Sequence, residues 1–277
     1  MRYLILSWIL LLPAFAWSAP MPSGDFMESE LRLRLIPTGL GVAASFGRRA
    51  PFYDSDNLAL EHNGLAYGAY VQASPVSFHP GVFVRVIPLT VLEFEFGVQA
   101  LSYFGALNSV IRYDSEDGDW SQAGQKAQRS IADIKAGYGW SGFGIARLKL
   151  KVSGVVLVSE YELRHLQLIT PDTQAWYDPE RHRLLKSTDT YQRSLTVLGW
   201  MFGPSMDNSH ILAMISWLEQ NSISTSHRNL GGLGLIRQQS DGEANTRWLL
   251  LLATYLEDQY QKNELFGAFV WKRSWSL

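Results

Sequence analysis

The chain of 277 residues contains no cysteine. That excludes a disulfide framework, a thiolate metal site, a cysteine nucleophile and the lipid-anchor cysteine of an exported lipoprotein. It carries little net charge of either sign, -2 at pH 7. The basic excess of a nucleic-acid partner is therefore missing. Long apolar runs are missing as well: past the first residues, charged or strongly polar side chains interrupt every hydrophobic segment within about ten positions, and a membrane-spanning helix needs about 20. The histidines at 62, 79, 165, 182, 210 and 227 form no i, i+4 pair and no His-x-His pair, so neither a metal site nor another cofactor is expected. If this chain enters a membrane, it must do so as strands.

What is present fits that alternative. Aromatic residues make up 13% and glycines number 23, while the hydrophobic fraction, 47%, is that of an ordinary soluble protein. A membrane barrel averages to this composition because alternate residues face lipid and the interior. At the start, Arg2 precedes the apolar run Leu4 to Phe15, followed by small residues at Ala14, Ala16, Ser18 and Ala19. This is the layout of a secretory signal peptide over residues 1–18, leaving a barrel over 19–277.

Two-residue alternation recurs along the chain, the period at which successive side chains of a strand face opposite ways. Leu31, Leu33 and Leu35 alternate with Glu30, Arg32 and Arg34, and Leu92, Phe94, Phe96 and Val98 alternate with Glu93, Glu95, Gly97 and Gln99. Leu148, Leu150 and Val152 alternate with Arg147, Lys149 and Lys151. Turn residues divide the chain into predicted strands at 29–47, 64–87, 91–104, 128–139, 143–167, 188–203, 209–221, 228–239, 246–258 and 264–276. Three of these contain a slip in the alternation, at Pro37-Thr38-Gly39, from Ser74 to Gly81, and at Ser153-Gly154; each is a bulge or a hairpin. Bulges give about ten strands, and converting two slips to hairpins gives twelve.

Long connectors at 48–63, 105–127 and 168–187 alternate with short turns near Leu89, Ser141-Gly142 and 204–208. Long outer loops and short inner turns are the outer-membrane arrangement. On this reading Trp140, Phe143, Trp200, Phe202, Trp248 and Trp275 form an inner aromatic girdle, and Tyr103, Phe104, Tyr161, Tyr191 and Trp217 an outer one. A soluble β-sandwich with an aromatic core is the competing architecture.

Near the end of the chain, Phe269, Trp271, Trp275 and Leu277 share one parity, interrupted by Arg273. Here the chain resembles bacterial outer-membrane β-barrel proteins as a class, whose last strand commonly alternates in this way. The terminal Leu277 departs from the usual Phe or Trp. The resemblance implies an all-β, transmembrane, antiparallel up-and-down β-barrel in the outer membrane of a Gram-negative cell envelope. It also implies contact with outer-membrane lipid and lipopolysaccharide, and handling by the barrel-assembly machinery; it implies no particular activity.

Candidate chemistry falls in two places. With Leu, Phe and Val toward lipid, the opposite parity puts Arg85, Glu93, Glu95, Asp133, Lys135, Arg147, Lys149 and Lys151 inside the lower lumen, with Arg85 expected opposite Glu93 and Asp133 near Lys149. Such a set either rigidifies a narrow barrel or selects small solutes. At the top of the predicted fifth strand, Glu160, Glu162 and His165 with Asp189 beside them form a candidate rim cluster able to position a water as general base. The loop Asp114 to Asp119 resembles a calcium loop in composition but lacks its ligand spacing, and Arg181-His182-Arg183 suits lipopolysaccharide phosphates. The functional expectation is a structural or surface-interaction role through long external loops, with a rim enzyme (a protease or a lipid A-modifying enzyme) and a narrow small-solute channel as alternatives.

Overall fold

The computed structural model describes residues 23–36, 38–53, 57, 60, 62–104, 111–131, 136–169, 175–205, 208–223, 227–241 and 244–277. Twelve antiparallel strands close into a barrel. They are β1 (Gly24–Ile36), β2 (Thr38–Ala50), β3 (Gly64–Ser74), β4 (Ser77–Leu89), β5 (Leu92–Tyr103), β7 (Gly137–Val152) and β8 (Val155–Ile169), followed by β11 (Thr188–Ser205), β12 (Asn208–Gln220), β13 (Arg228–Ser240), β14 (Ala244–Glu257) and β15 (Leu265–Ser276). Each pairs with its neighbour in sequence, and β1 closes the ring on β15 with Phe26 opposite Ser276 and Leu33 opposite Phe269. Closure leaves no unpaired edge, the condition for a sheet in lipid. Between barrel strands lie β6 (Ile111–Tyr113), the helix α1 (Gln122–Ile131), β9 (Ala175–Asp178) and β10 (Arg183–Lys186); β10, β9 and β6 form a separate sheet.

The count is twelve rather than ten, by a different route from the one expected. All three slips are hairpins: β1 pairs with β2 around position 37, Ser74 pairs with Ser77, and Val152 pairs with Val155. Ser153 takes the left-handed backbone, φ 55°, that a two-residue turn requires. One predicted strand disappears, since residues 122–131 (QAGQKAQRSI) are good helix formers without β-branched side chains until the last position, and they form α1. Ser141-Gly142 is consequently no turn but lies within β7, paired to Leu166 and His165.

Each added hairpin reverses the chain and re-sorts the ends. The connector 51–63 joins β2 to β3 at the end where β1 begins and β15 ends and where the turns after β4, β7, β11 and β13 lie, so it does not belong with the long loops. Connectors 104–136 and 170–187 lie at the opposite end, called here the loop end. Trp140 and Phe143 move to the loop end with the start of β7, while Trp200, Phe202, Trp248 and Trp275 stay at the turn end. Tyr103, Phe143 and Tyr191 are buried, Trp217 packs on the inner apolar cluster, and none of the four belongs to a girdle.

The outer wall is apolar and exposed: Phe46, Val82, Phe96, Val98, Leu212, Met214, Leu233 and Leu252 each leave more than half of their surface open. A soluble protein rarely exposes so continuous an apolar belt, whereas a lipid-facing barrel needs one. Inside, three arcs differ. β11 to β15 present Val197, Ile211, Ala213, Ile215, Leu251 and Ala253, all buried. β1, β4, β5, β7 and β8 carry the charged residues, among them Glu28, Arg32, Arg85, Glu93, Arg147 and Glu160, and β2 presents Gly39, Gly41, Ala43, Ser45 and Gly47 on its inward parity. Gly47 is required small, because a Cβ there would sit 2.8 Å from the Phe26 ring, which packs inward with Phe83 and Tyr70.

The candidate site: a charged lumen under a folded hairpin

Alternation on neighbouring strands stacks opposite charges into a ladder. At the turn end, Arg85 is the register partner of Glu95, not of Glu93, but its guanidinium lies 2.9 Å from Glu95 and 3.3 Å from Glu93. Arg147 donates to Glu93, to Glu95 at 2.9 Å and to Glu160 at 2.6 Å, and Lys149 reaches Glu93 at 2.6 Å. Lys151 shares the inward parity of Arg147 and Lys149. Asp133 and Lys135 lie outside the described residues. Sequence reading missed Glu28, which accepts from Lys272 at 3.0 Å, because β1 and β15 become neighbours only on closure.

The candidate rim cluster is not assembled at the rim. Glu160 and Glu162 point into the lumen, where Arg193 binds both and Arg164 binds Glu162 at 2.8 Å. His165 is on the opposite face of β8, outside the barrel, against the Trp140 ring. Asp189 is buried and accepts from the backbone N–H groups of Lys186, Thr190 and Ser222 and from the Asn221 amide. The four side chains therefore serve three separate environments. The calcium-like loop is held by internal contacts, including Asp117 N–H to Ser115 Oγ at 3.1 Å and Lys186 to Glu116 at 2.8 Å. Among the described residues no group of three or more metal-ligating side chains converges.

Toward the loop end the lumen is filled by the hairpin β9–β10. Its apolar side chains Trp176 and Leu185 pack on Leu101, Tyr103, Leu166 and Tyr191 of the barrel's inner wall. On its other face Tyr177 and Leu184 pack under Ile111, Tyr113 and Trp120 of the neighbouring loop. Burying Trp176 and Leu185 stabilises the docked state by several kcal/mol. Charge fixes its position: Arg183, 1% exposed, donates to Glu219 at 2.9 Å, and Tyr191 donates to the same carboxylate. Arg228 donates to the backbone carbonyls of His182 (2.9 Å) and Arg181 (3.1 Å) and to Asp258 at 2.8 Å. Glu180 at the tip accepts from Ser77, lies 3.4 Å from His79, and offers its carbonyl to Arg34 at 2.7 Å.

Arg181-His182-Arg183 is therefore no surface patch for lipopolysaccharide. Its arginines face protein carboxylates, Arg181 binding Asp178 at 2.5 Å. Burial, with Arg34 and Arg228 beside it, pushes His182 down to about 2, and its Nδ1 pairs with the Tyr177 hydroxyl at 2.8 Å. Burial also raises Tyr177 to about 12, and the Asp178 carboxylate holds Arg181 charged against its own burial. Glu219 and Arg228 escaped sequence reading because their partners are 36 and 47 positions distant. Under the hairpin remains a cavity of about 540 Å³ that both the charged and the apolar arcs line.

A closed twelve-stranded antiparallel barrel with an apolar outer belt and a partly charged, loop-capped interior defines the class: this is a β-barrel of the bacterial outer-membrane, Gram-negative type. Comparison with solved structures agrees. The β domain of the Bordetella autotransporter Brka superposes with a TM-score of 0.57 at 10% identity, covering 93% of this chain and 100% of that one. LpxR from Salmonella typhimurium (TM-score 0.44, 10% identity, 91% and 100% covered) and the KdgM porin (0.41, 9%, 91% and 99%) are also similar. At these identities the likeness concerns the fold. No protein-family model and no curated protein matches the sequence.

Proposed function

We propose that the protein works in the bacterial outer membrane as a narrow passage for small solutes, closed at its outer face by its own hairpin 175–186. The observation that carries this reading is the hairpin seated in the barrel mouth above a charged cavity. The turns after β4, β7, β11 and β13 are short and lie at the end where β1 begins and β15 ends, which supports a periplasmic position for that end and an outer one for the hairpin. The long loops fold inward over the mouth, which favours a passage over a surface-adhesion role. Dispersal of Glu160, Glu162, His165 and Asp189 favours it over a rim enzyme. Residues 1–18 direct export, the outward-facing Phe269, Trp271 and Trp275 on β15 serve recognition by the barrel-assembly machinery, and the apolar belt contacts membrane lipid, with lipopolysaccharide at the outer rim.

Planar-bilayer conductance tests the reading. The intact protein is expected to conduct rarely and briefly, and a variant with 175–186 replaced by a short Gly-Ser linker to conduct in long openings. A deletion variant that folds, judged by heat-modifiable gel mobility, yet stays silent contradicts a passage.

A further inference from the structure

The cavity under the hairpin is two-sided. On β1, Arg32 and Arg34 occupy consecutive inward positions, and Arg32 keeps 52% of its side-chain surface open beside its partner Glu30. On one flank, β2 places Gly41 opposite Arg32, with open space beside it, and Gly39 opposite Arg34, whose guanidinium lies over that glycine. On the other, Val270 is the register partner of Arg32 and Ala268 that of Arg34, and Leu249 and Leu251 follow on β14. Cations thus stand at the seam between the open strip beside Gly41 and an apolar wall, Arg32 half open and Arg34 donating to the Glu180 backbone carbonyl.

Water solvates the guanidinium groups but gains nothing from the wall of Val270, Leu249 and Leu251; an apolar chain gains there and a fixed anion gains at the arginines. Its volume, about 540 Å³, is that of a site for an organic molecule rather than for an ion. Resting on the reading of the lumen as a passage, we infer that its solute is a single-chain amphiphile with an anionic head, a carboxylate or phosphate held by Arg32 and Arg34 with the chain along β15 and β14. The planar fork of arginine suits either head.

The test is displacement of dansyl-undecanoic acid from the refolded protein in lipid nanodiscs, with empty nanodiscs as reference. Decanoate and decyl phosphate are expected to displace it saturably, and whichever does so at the lower concentration identifies the head. Decanol and inorganic phosphate, which each supply half of the match, are expected to be at least ten-fold weaker. Arg32→Ala with Arg34→Ala should weaken the charged amphiphiles about ten- to hundred-fold, as loss of charge-assisted hydrogen bonds implies, and leave decanol unchanged. Gly41→Phe fills the vacant strip, since the nearest atom to a Cβ there is 3.9 Å away, and should weaken both kinds of probe while the barrel stays folded. Equal displacement from empty nanodiscs, unaltered decanoate binding by the double variant, or inorganic phosphate as effective as decyl phosphate each overturns the inference. If deletion of 175–186 opens the pore while no amphiphile binds, this inference fails and the passage stands; binding in a protein that never conducts sinks the passage alone.

Discussion

The two halves of the lumen are built on opposite principles. From β11 to β15 the inward face is a dry core, with Ile211 fully covered and Ile215, Leu251 and Ala253 packed against each other. Across from it, β4, β5, β7 and β8 fill the same kind of space with Arg85, Glu93, Glu95, Arg147 and Glu160, each carboxylate shared between cations. An apolar half derives stability from burial and is tolerant of shape; a charged half is stable only while every charge is answered. On the proposed reading, this charged wall is the one that faces a passing solute in the cavity.

Substitutions that exchange the two principles should break the comparison most severely. Ile215→Asp places an unanswered charge in the dry half and is expected to prevent refolding, seen as loss of the heat-modifiable band. Arg147→Met leaves Glu93, Glu95 and Glu160 partly unanswered, with an expected loss of about 3–5 kcal/mol in urea unfolding. Trp176→Ala should cost about 3–5 kcal/mol in hairpin docking alone, raising protease cleavage within 175–186 while the barrel's unfolding midpoint stays put.

Acid supplies a smaller, graded effect. His182 is held neutral in the docked hairpin, down to about 2, whereas a free histidine protonates near 6.5. Below pH ~6.5 the undocked state therefore binds the extra proton, and docking weakens roughly ten-fold per pH unit until the docked histidine itself titrates. Conductance is expected to rise as pH falls from 6.5 to 4.5, and His182→Gln to flatten that rise. Smallest of all, His165→Ala on the lipid side of β8 should change stability by no more than about 0.5 kcal/mol and leave conductance unaltered.

Much of this was legible in the sequence, and the failures have physical causes. Strict alternation in Leu92–Val98 and Arg147–Val152 correctly gave the inward face of β5 and β7, because only one parity there carries charge. The hairpins were obscured since a two-residue turn barely interrupts an alternating pattern. Length was the overlooked clue, as a strand of about 25 residues would run roughly 80 Å, far beyond what a bilayer needs. Apolar residues at both parities in Ile211–Ile215 and Leu249–Ala253 conceal which side faces lipid until the ring closes. The hairpin was least accessible: strands of four residues give no period, and a run such as Arg181-His182-Arg183 reads as surface unless Glu219 is known to lie beneath it.

Because the chain has no cysteine, the central claim can be tested by a reversible tether between hairpin and wall. Ser77→Cys and Glu180→Cys, joined by a short reductant-cleavable bis-maleimide, would pin the hairpin tip to the neighbouring β4 side chain it contacts. Single-channel recording should then show a silent protein that begins to conduct when reductant cuts the tether. Equal conductance before and after cleavage would mean that ions bypass the hairpin, and would contradict its role as the closure of the lumen.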